Sequence, residues 1–168
     1  RAYTDTGPIL ERAWGQQAGL GWFGKNSCLI HPRGGSAFLL GELLLNTELT
    51  PDTPWKADRC GSCTRCLDAC PTGCISPNRT LDARRCLSYW TIEHKGAIPV
   101  QMRPSLGNWV FGCDICQQVC PWNQHAAPSS VDSAFNFTPE EAFPDLLDIL
   151  GLSPVDFNRR FRRTPLAR

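Results

Sequence analysis

Apolar side chains in the opening stretch DTGPILERAWGQQAGLG fall at Ile9, Leu10, Ala13, Trp14 and Ala18, the spacing of a single helical face. Pro8 suits a first helical position because its φ is already fixed, and the Gly19 and Gly21 pair marks an end. The pattern therefore predicts a helix beginning near Pro8 and closing before Gly21. SCLIH, a Pro-Arg-Gly-Gly turn and SAFLLGELLL follow. These runs are too continuously apolar for either periodicity to decide, and they read as short, largely buried strands or as a strand and a helix. Near the other end, TPEEAFPDLLDIL has Thr138 followed three residues later by Glu141, a capping box, with Pro139 at the first helical position. SPVDFNRRF repeats the arrangement with Ser153 and Pro154, so two short helices are predicted there. No apolar run approaches the roughly 18 residues of a membrane span, and the chain does not open on a secretory leader pattern.

Composition divides the chain into three zones. Residues 1–56 are rich in Gly, Leu and Trp and hold one cysteine, Cys28; PDTPW at 51–55 reads as a linker. Residues 57–124 hold the other nine cysteines, and 125–168 open on the loop-like HAAPSSVDS before the two helices. A net charge of +1 and 42% hydrophobic residues describe a globular protein without a general basic excess, so any nucleic-acid contact must come from local charge. Cysteines at Cys-x-x-Cys spacing point to metal ligation in a reducing compartment, the cytoplasm, in preference to a disulfide framework. Arg1 in place of an initiating Met suggests a segment of a longer protein.

Cys60, Cys63, Cys66 and Cys70-Pro71 reproduce Cys-x2-Cys-x2-Cys-x3-Cys-Pro, in which three thiolates bind one [4Fe-4S] cluster and the fourth reaches a second. The second run is Cys113-x2-Cys116-x3-Cys120-Pro121, with Val110 where its first cysteine should stand. Cys86 is the natural replacement, and Cys74 competes with it. By the crossing rule one cluster takes Cys60, Cys63, Cys66 and Cys120, and the other Cys70, Cys86, Cys113 and Cys116. Structural zinc is the rival, but two runs closed by Cys-Pro favour iron and sulfide. Cys28, alone in an apolar stretch, reads as a packed thiol.

YTDTGPILERAWGQQAGLGWFGKNSCLI, LGELLLNTEL, CGSCTRCLDACPTG, LDARRCLSYWTIEHKGAIP, GNWVFGCDICQQVCPWN and FNRRFRRTPLAR together resemble the epoxyqueuosine reductases, cobalamin and iron-sulfur enzymes of queuosine synthesis. The resemblance runs from Tyr3 to Arg168. It implies an α+β chain: the C-terminal part of a nitroreductase-like cobalamin-binding domain, a ferredoxin-like domain with two [4Fe-4S] clusters, then short helices leading into a basic helical-repeat region beyond this sequence. The implied reaction is reduction of the epoxide of epoxyqueuosine, at the wobble position of a tRNA anticodon, to the cyclopentene of queuosine. Electrons from an external low-potential donor would pass through the clusters to cobalamin, whose reduced cobalt opens an epoxide where no side chain could. The implied protein is a monomer with tRNA as its macromolecular partner.

The family's general acid falls on Asp5 of DTGP, where burial against a corrin would keep the carboxyl protonated. Read from the residues alone, Asp5 is first a cap for the helix at Pro8, and it is the resemblance that reverses this. The resemblance also points to Asn26 of GKN, Ser88 and Asp114 as cobalamin contacts, and puts the second cluster next to the cobalt. His31, His94 and His125 read as structural, with no axial ligand among them. Arg159, Arg160, Arg162 and Arg163 suit RNA phosphates, although the same segment reads as a solvated helix with Phe157 and Phe161 in a core. Tyr89 and Trp90 would stack on a base or pack inside. Two other functions share these features. A cobalamin-dependent reductive dehalogenase would use a tyrosine donor, with Tyr3 at hand, and a ferredoxin-like carrier would pass electrons on without catalysis.

Overall fold

A computed structural model describes residues 2–3, 7–126, 144–162 and 164–167. The chain falls into two units, Arg1–Asp82 with Asp114–Pro128, and Ala83–Cys113 with Ser129–Arg168. In chain order the helices are α1 (Glu11–Gln17), α2 (Arg65–Asp68), α3 (Arg103–Leu106), α4 (Ile115–Gln118), α5 (Pro121–Gln124), α6 (Leu146–Leu150) and α7 (Pro154–Phe161). Short 3-10 turns occur at Ala83–Arg85, Val100–Met102 and Pro165–Ala167, and Tyr89–Glu93 is one π turn.

The first unit is organised by a hairpin of β1 (Trp22–Phe23) and β2 (Leu29–Ile30), antiparallel with Trp22 opposite Ile30 and Phe23 opposite Leu29. Gly21 admits the chain to β1, because a Cβ there would run into the carbonyl oxygen of Ile30. Trp22 and Ile30 are each 1% exposed and form the core with Cys120, while Trp55, Cys60 and Trp122 pack around them. The Trp122 ring meets Trp22 edge-on at 4.9 Å, the favoured geometry for two aromatic quadrupoles. Ser36 ties the segment after the hairpin to α5 and α4: its N–H donates to Asn123 Oδ1 at 2.6 Å, and its hydroxyl donates to Gln117 Oε1 at 3.0 Å.

Helix α1 departs from the expectation in two respects. It begins at Glu11, with Leu10 in the N-cap position and no side-chain cap, so Pro8 precedes the helix. Its expected apolar face is also not the packed one, since Leu10 and Trp14 are 73% and 62% exposed. The helix docks instead through Gly15, where an added Cβ would collide with Leu29, and through Gln16. The Gln16 side chain accepts from Phe23 N and donates to the Trp55 carbonyl, while its own carbonyl accepts from Trp55 N at 2.9 Å. Close approach and polar pairing thus outweigh apolar spacing.

Beyond the buried Ser36, the run SAFLLGELLL is neither buried nor a strand. Residues 38–50 have no regular structure, and Leu39, Leu43 and Leu44 are about nine-tenths exposed. A strand needs a neighbour for its N–H and C=O groups, and among the described residues none pairs with this run.

In the second unit, Leu87 and Phe161 are buried, at 2% and 4% exposure. The Thr91 hydroxyl holds the π turn by donating to the Leu87 carbonyl at 2.8 Å and accepting from Gly112 N at 2.9 Å. The capping box at Thr138, Pro139 and Glu141 lies outside the described residues; α6 is capped by Asp145, whose carboxylate accepts from Leu147 N and Asp148 N. Helix α7 follows its sequence signal: Ser153 Oγ accepts from Asp156 N at 3.2 Å and Pro154 opens the first turn. Among the described residues no helix is long and apolar enough to cross a membrane.

Candidate iron-sulfur centre

The loop carrying the first cysteines is fixed from its start. Asp58 Oδ1 accepts from Cys60 N at 2.9 Å, Cys63 N donates to the Cys60 carbonyl at 3.1 Å, and α2 then carries Cys66. The Cys-Pro signature has a local cause at the other end of the motif. Pro121 holds Cys120 in extended geometry, φ −73° and ψ 123°, and occupies the first turn of α5.

Cys60, Cys63, Cys66 and Cys120 then line one cavity of about 360 Å³ in the first unit, walled by Ile30, Pro32, Pro121 and Trp122. Burial pushes the thiols of Cys66 and Cys120 above their ordinary pKa, so their thiolates need a cation for compensation. The iron of a cluster would supply that charge. A cavity of this size lined by four cysteines has room for a [4Fe-4S] cluster, in which each thiolate would bind its own iron. The donor set and its surroundings fit the cluster that the motif implies.

The hairpin grips this site in ways the motif did not reveal. Lys25 Nζ donates to the carbonyls of Gly61 at 2.7 Å and Cys63 at 3.0 Å, and the Trp22 indole Nε1 donates to Cys60 Sγ at 3.5 Å. The Arg79 guanidinium pairs with Asp58 and donates to the Phe23 carbonyl at 2.8 Å, while Ser27 Oγ donates to the Arg79 carbonyl at 2.9 Å. The available signal was the GWFGKN block immediately upstream of Cys28; cysteine spacing says nothing of it.

Of the second set, Cys70 and Cys116 belong to the first unit, and Cys86 and Cys113 to the second. Cys70 Sγ lies 3.6 Å from Thr72 Oγ1 and 3.5 Å from the buried Cys74 sulfur. Burial opposes its thiolate, but hydrogen bonds from Cys74 and Thr72 together outweigh that and bring the pKa down to about 7. The competitor named from sequence, Cys74, is thus the immediate neighbour of Cys70.

Asn26 is 3% exposed and lines the cavity of the first quartet. Its Oδ1 accepts from Cys28 N at 3.2 Å, while its Nδ2 is buried with no hydrogen-bond partner among the described residues. Burial pushes the Cys28 thiol up to about 11; nearby Arg12 opposes the shift, and Asp114 adds to it. Asp114 precedes α4 and accepts from Gln117 Nε2 at 2.8 Å. Ser88 precedes the π turn in the second unit. Asp5 lies outside the described residues, as does Arg163.

His31 Nδ1 accepts from Gly34 N at 2.9 Å, closing a turn, and His94 packs on Trp90 at 4.4 Å. Trp90 donates its indole N–H to the Arg84 carbonyl, and Tyr89 is 37% exposed. On α7, Phe161 is buried with Phe157 packed 4.8 Å away, whereas Arg159, Arg160 and Arg162 are exposed. The aromatic residues of that helix serve packing and the guanidinium groups face outward.

Residues 59–123 match the 4Fe-4S double cluster binding domain, so the class is a two-cluster iron-sulfur protein. The whole chain is 45% identical to the epoxyqueuosine reductase of Pseudomonas aeruginosa, covering 46% of it, and 46% identical to that of Xanthomonas campestris pv. campestris, covering 47%. Its fold superposes with TM-score 0.86 on a crystal structure of epoxyqueuosine reductase with an epoxyqueuosine-modified tRNA stem loop, at 36% identity over 99% of this chain and 46% of that one. Over its whole length the chain is similar to the epoxyqueuosine reductases, and it spans about half the length of the curated relatives it matches.

Proposed function

We propose that this chain is part of an enzyme that reduces epoxyqueuosine to queuosine in the anticodon wobble position of tRNA, with electrons passed through two [4Fe-4S] clusters to cobalamin. The observation that carries the reading is the joining of a full-length resemblance to epoxyqueuosine reductases with four thiols around one cavity. One cluster is held by Cys60, Cys63, Cys66 and Cys120. The other is held by Cys70, Cys86, Cys113 and Cys116, a set that rests on the crossing motif. An external low-potential donor supplies single electrons, and the enzyme works as a cytoplasmic monomer.

Residues 1–56 form part of a nitroreductase-like cobalamin-binding domain. The unmet Nδ2 donor of Asn26 supports this, because a buried amide without a partner is costly unless a ligand supplies the acceptor. Asp114 lies close enough to Cys28 to act on its thiol, which puts a carboxylate near the Asn26 loop. Asn26, Asp114 and Ser88 would hold the cobalamin, which supplies a strongly nucleophilic reduced cobalt when bound. Asp5 supplies one of the two protons that, with two electrons, turn the epoxide oxygen into water, the second coming from solvent, and the exposed arginines of α7 meet tRNA phosphates.

The test uses the complete protein, reconstituted anaerobically and supplied with cobalamin, a reductant and an epoxyqueuosine-containing stem loop. Queuosine should form, and D5N should abolish turnover while cobalamin still binds. Absence of product from a fully loaded enzyme overturns the reading; near-full activity of D5N overturns the role of Asp5.

A further inference from the structure

Trp22 is more than a core residue. Its indole is 1% exposed, and its Nε1–H points at Cys60 Sγ, 3.5 Å away. A buried indole N–H needs an acceptor, and a neutral thiol is a poor one. A thiolate bound to iron is much better, because hydrogen bonds to charged acceptors are stronger. The indole is also held in place: Trp122 packs edge-on at 4.9 Å, Trp55 lies at 5.9 Å, and β1 is pinned to β2 through the Trp22 to Ile30 pair.

We infer that the Trp22 indole N–H is a redox-tuning contact for the cluster held by Cys60, Cys63, Cys66 and Cys120. The inference rests on the reading that these four thiols are cluster ligands. Adding one electron takes a [4Fe-4S] cluster from the 2+ to the 1+ state and increases the negative charge shared by its sulfurs. A fixed N–H at one of those sulfurs gains strength in that step, so it favours the reduced form and raises the reduction potential. Lys25 holds the same loop by the carbonyls of Gly61 and Cys63, so the donor and its target keep their spacing as charge changes. The hairpin upstream of the motif thereby sets how readily this cluster accepts an electron, which cysteine spacing alone does not specify.

W22F keeps an aromatic ring in the core and removes only the donor. Reconstituted wild type and W22F, matched for iron, are titrated anaerobically with dithionite and followed by electron paramagnetic resonance. At a fixed ambient potential, the reduced-to-oxidised ratio of one cluster should fall about five- to tenfold in W22F, the worth of one hydrogen bond, while the other cluster is unmoved. An unmoved ratio, or an equal shift of both clusters, overturns the inference. If W22F fails to take up iron, the wild type decides. With indole nitrogens labelled with 15N, the reduced protein should show a hyperfine coupling from an indole nitrogen, and its absence overturns the inference. C60S separates this inference from the reading beneath it. Retention of full iron in C60S shows that Cys60 is no ligand and removes both, whereas iron loss in C60S with an unmoved W22F ratio removes the tuning role alone.

Discussion

Arg79 shows how one side chain outside the cysteine motif can hold the site together. It adopts φ +70°, uncommon for a residue with a side chain, and from there bridges Asp58, the Phe23 carbonyl and Ser27. The Asp58 carboxyl is held below its ordinary pKa first by the Cys60 N–H and then by Arg79. A depressed carboxylate contributes stability above its unfolded pKa and loses it as pH falls through the folded one, so the clamp is intact at neutral pH. R79A should cost about 1–2 kcal/mol and speed iron loss to a chelator; unchanged melting and unchanged chelation would contradict the clamp. Cys28 offers a second check at this scale. With its pKa up at about 11, it stays protonated at pH 8 and should react with iodoacetamide at least about tenfold more slowly than an exposed thiol until the protein unfolds. Ordinary labelling of Cys28 in the native holo-protein would show that its surroundings are misdescribed. A double-cluster domain was legible because cysteine spacing is itself the chemistry. Trp22, Lys25 and Arg79 were not, since their roles depend on which loop the hairpin meets.

Among the elements, those with a local cause were read correctly and those with a tertiary cause were not. Helix α7 carries Ser153 and Pro154 at its start, and this determines it; S153A should cost about 1 kcal/mol, measured as a lowered denaturation midpoint of the second unit. Helix α1 lacks a side-chain cap and docks through Gly15 and Gln16, so neither its start nor its packed face could be taken from apolar spacing. The leucine-rich run at 38–50 failed for a third reason: apolar composition signals that a segment can be covered, without naming what covers it. Replacing Leu43 and Leu44 with Gln should therefore reduce binding of a hydrophobic dye by this chain without lowering its iron content. Undiminished dye binding would place the exposed apolar surface elsewhere. The outward arginines of α7 predict a salt effect on the complete enzyme. Removing Arg159 and Arg160 should weaken tRNA binding and reduce the dependence of log affinity on log salt by roughly one to two units. An unchanged slope would leave those arginines as solvated surface.

At the scale of the molecule, the order of cysteines conveyed more than any other feature, and the double-cluster domain at residues 59–123 accords with it. The first quartet lies within one unit, where side chains from the hairpin, α2 and the start of α5 meet around a cavity. Of the cysteines proposed for the second, Cys70 has the Cys74 sulfur 3.5 Å away. Legibility fell where residues far apart in sequence must converge, because a spacing rule carries no information about approach. The central claim, two clusters on the crossed ligand sets, is tested most directly by counting iron and acid-labile sulfide after anaerobic reconstitution. The wild type should hold about eight of each per chain, and C60S and C113S about four each. A wild type holding about four, or zinc in place of iron and sulfide, would contradict the account.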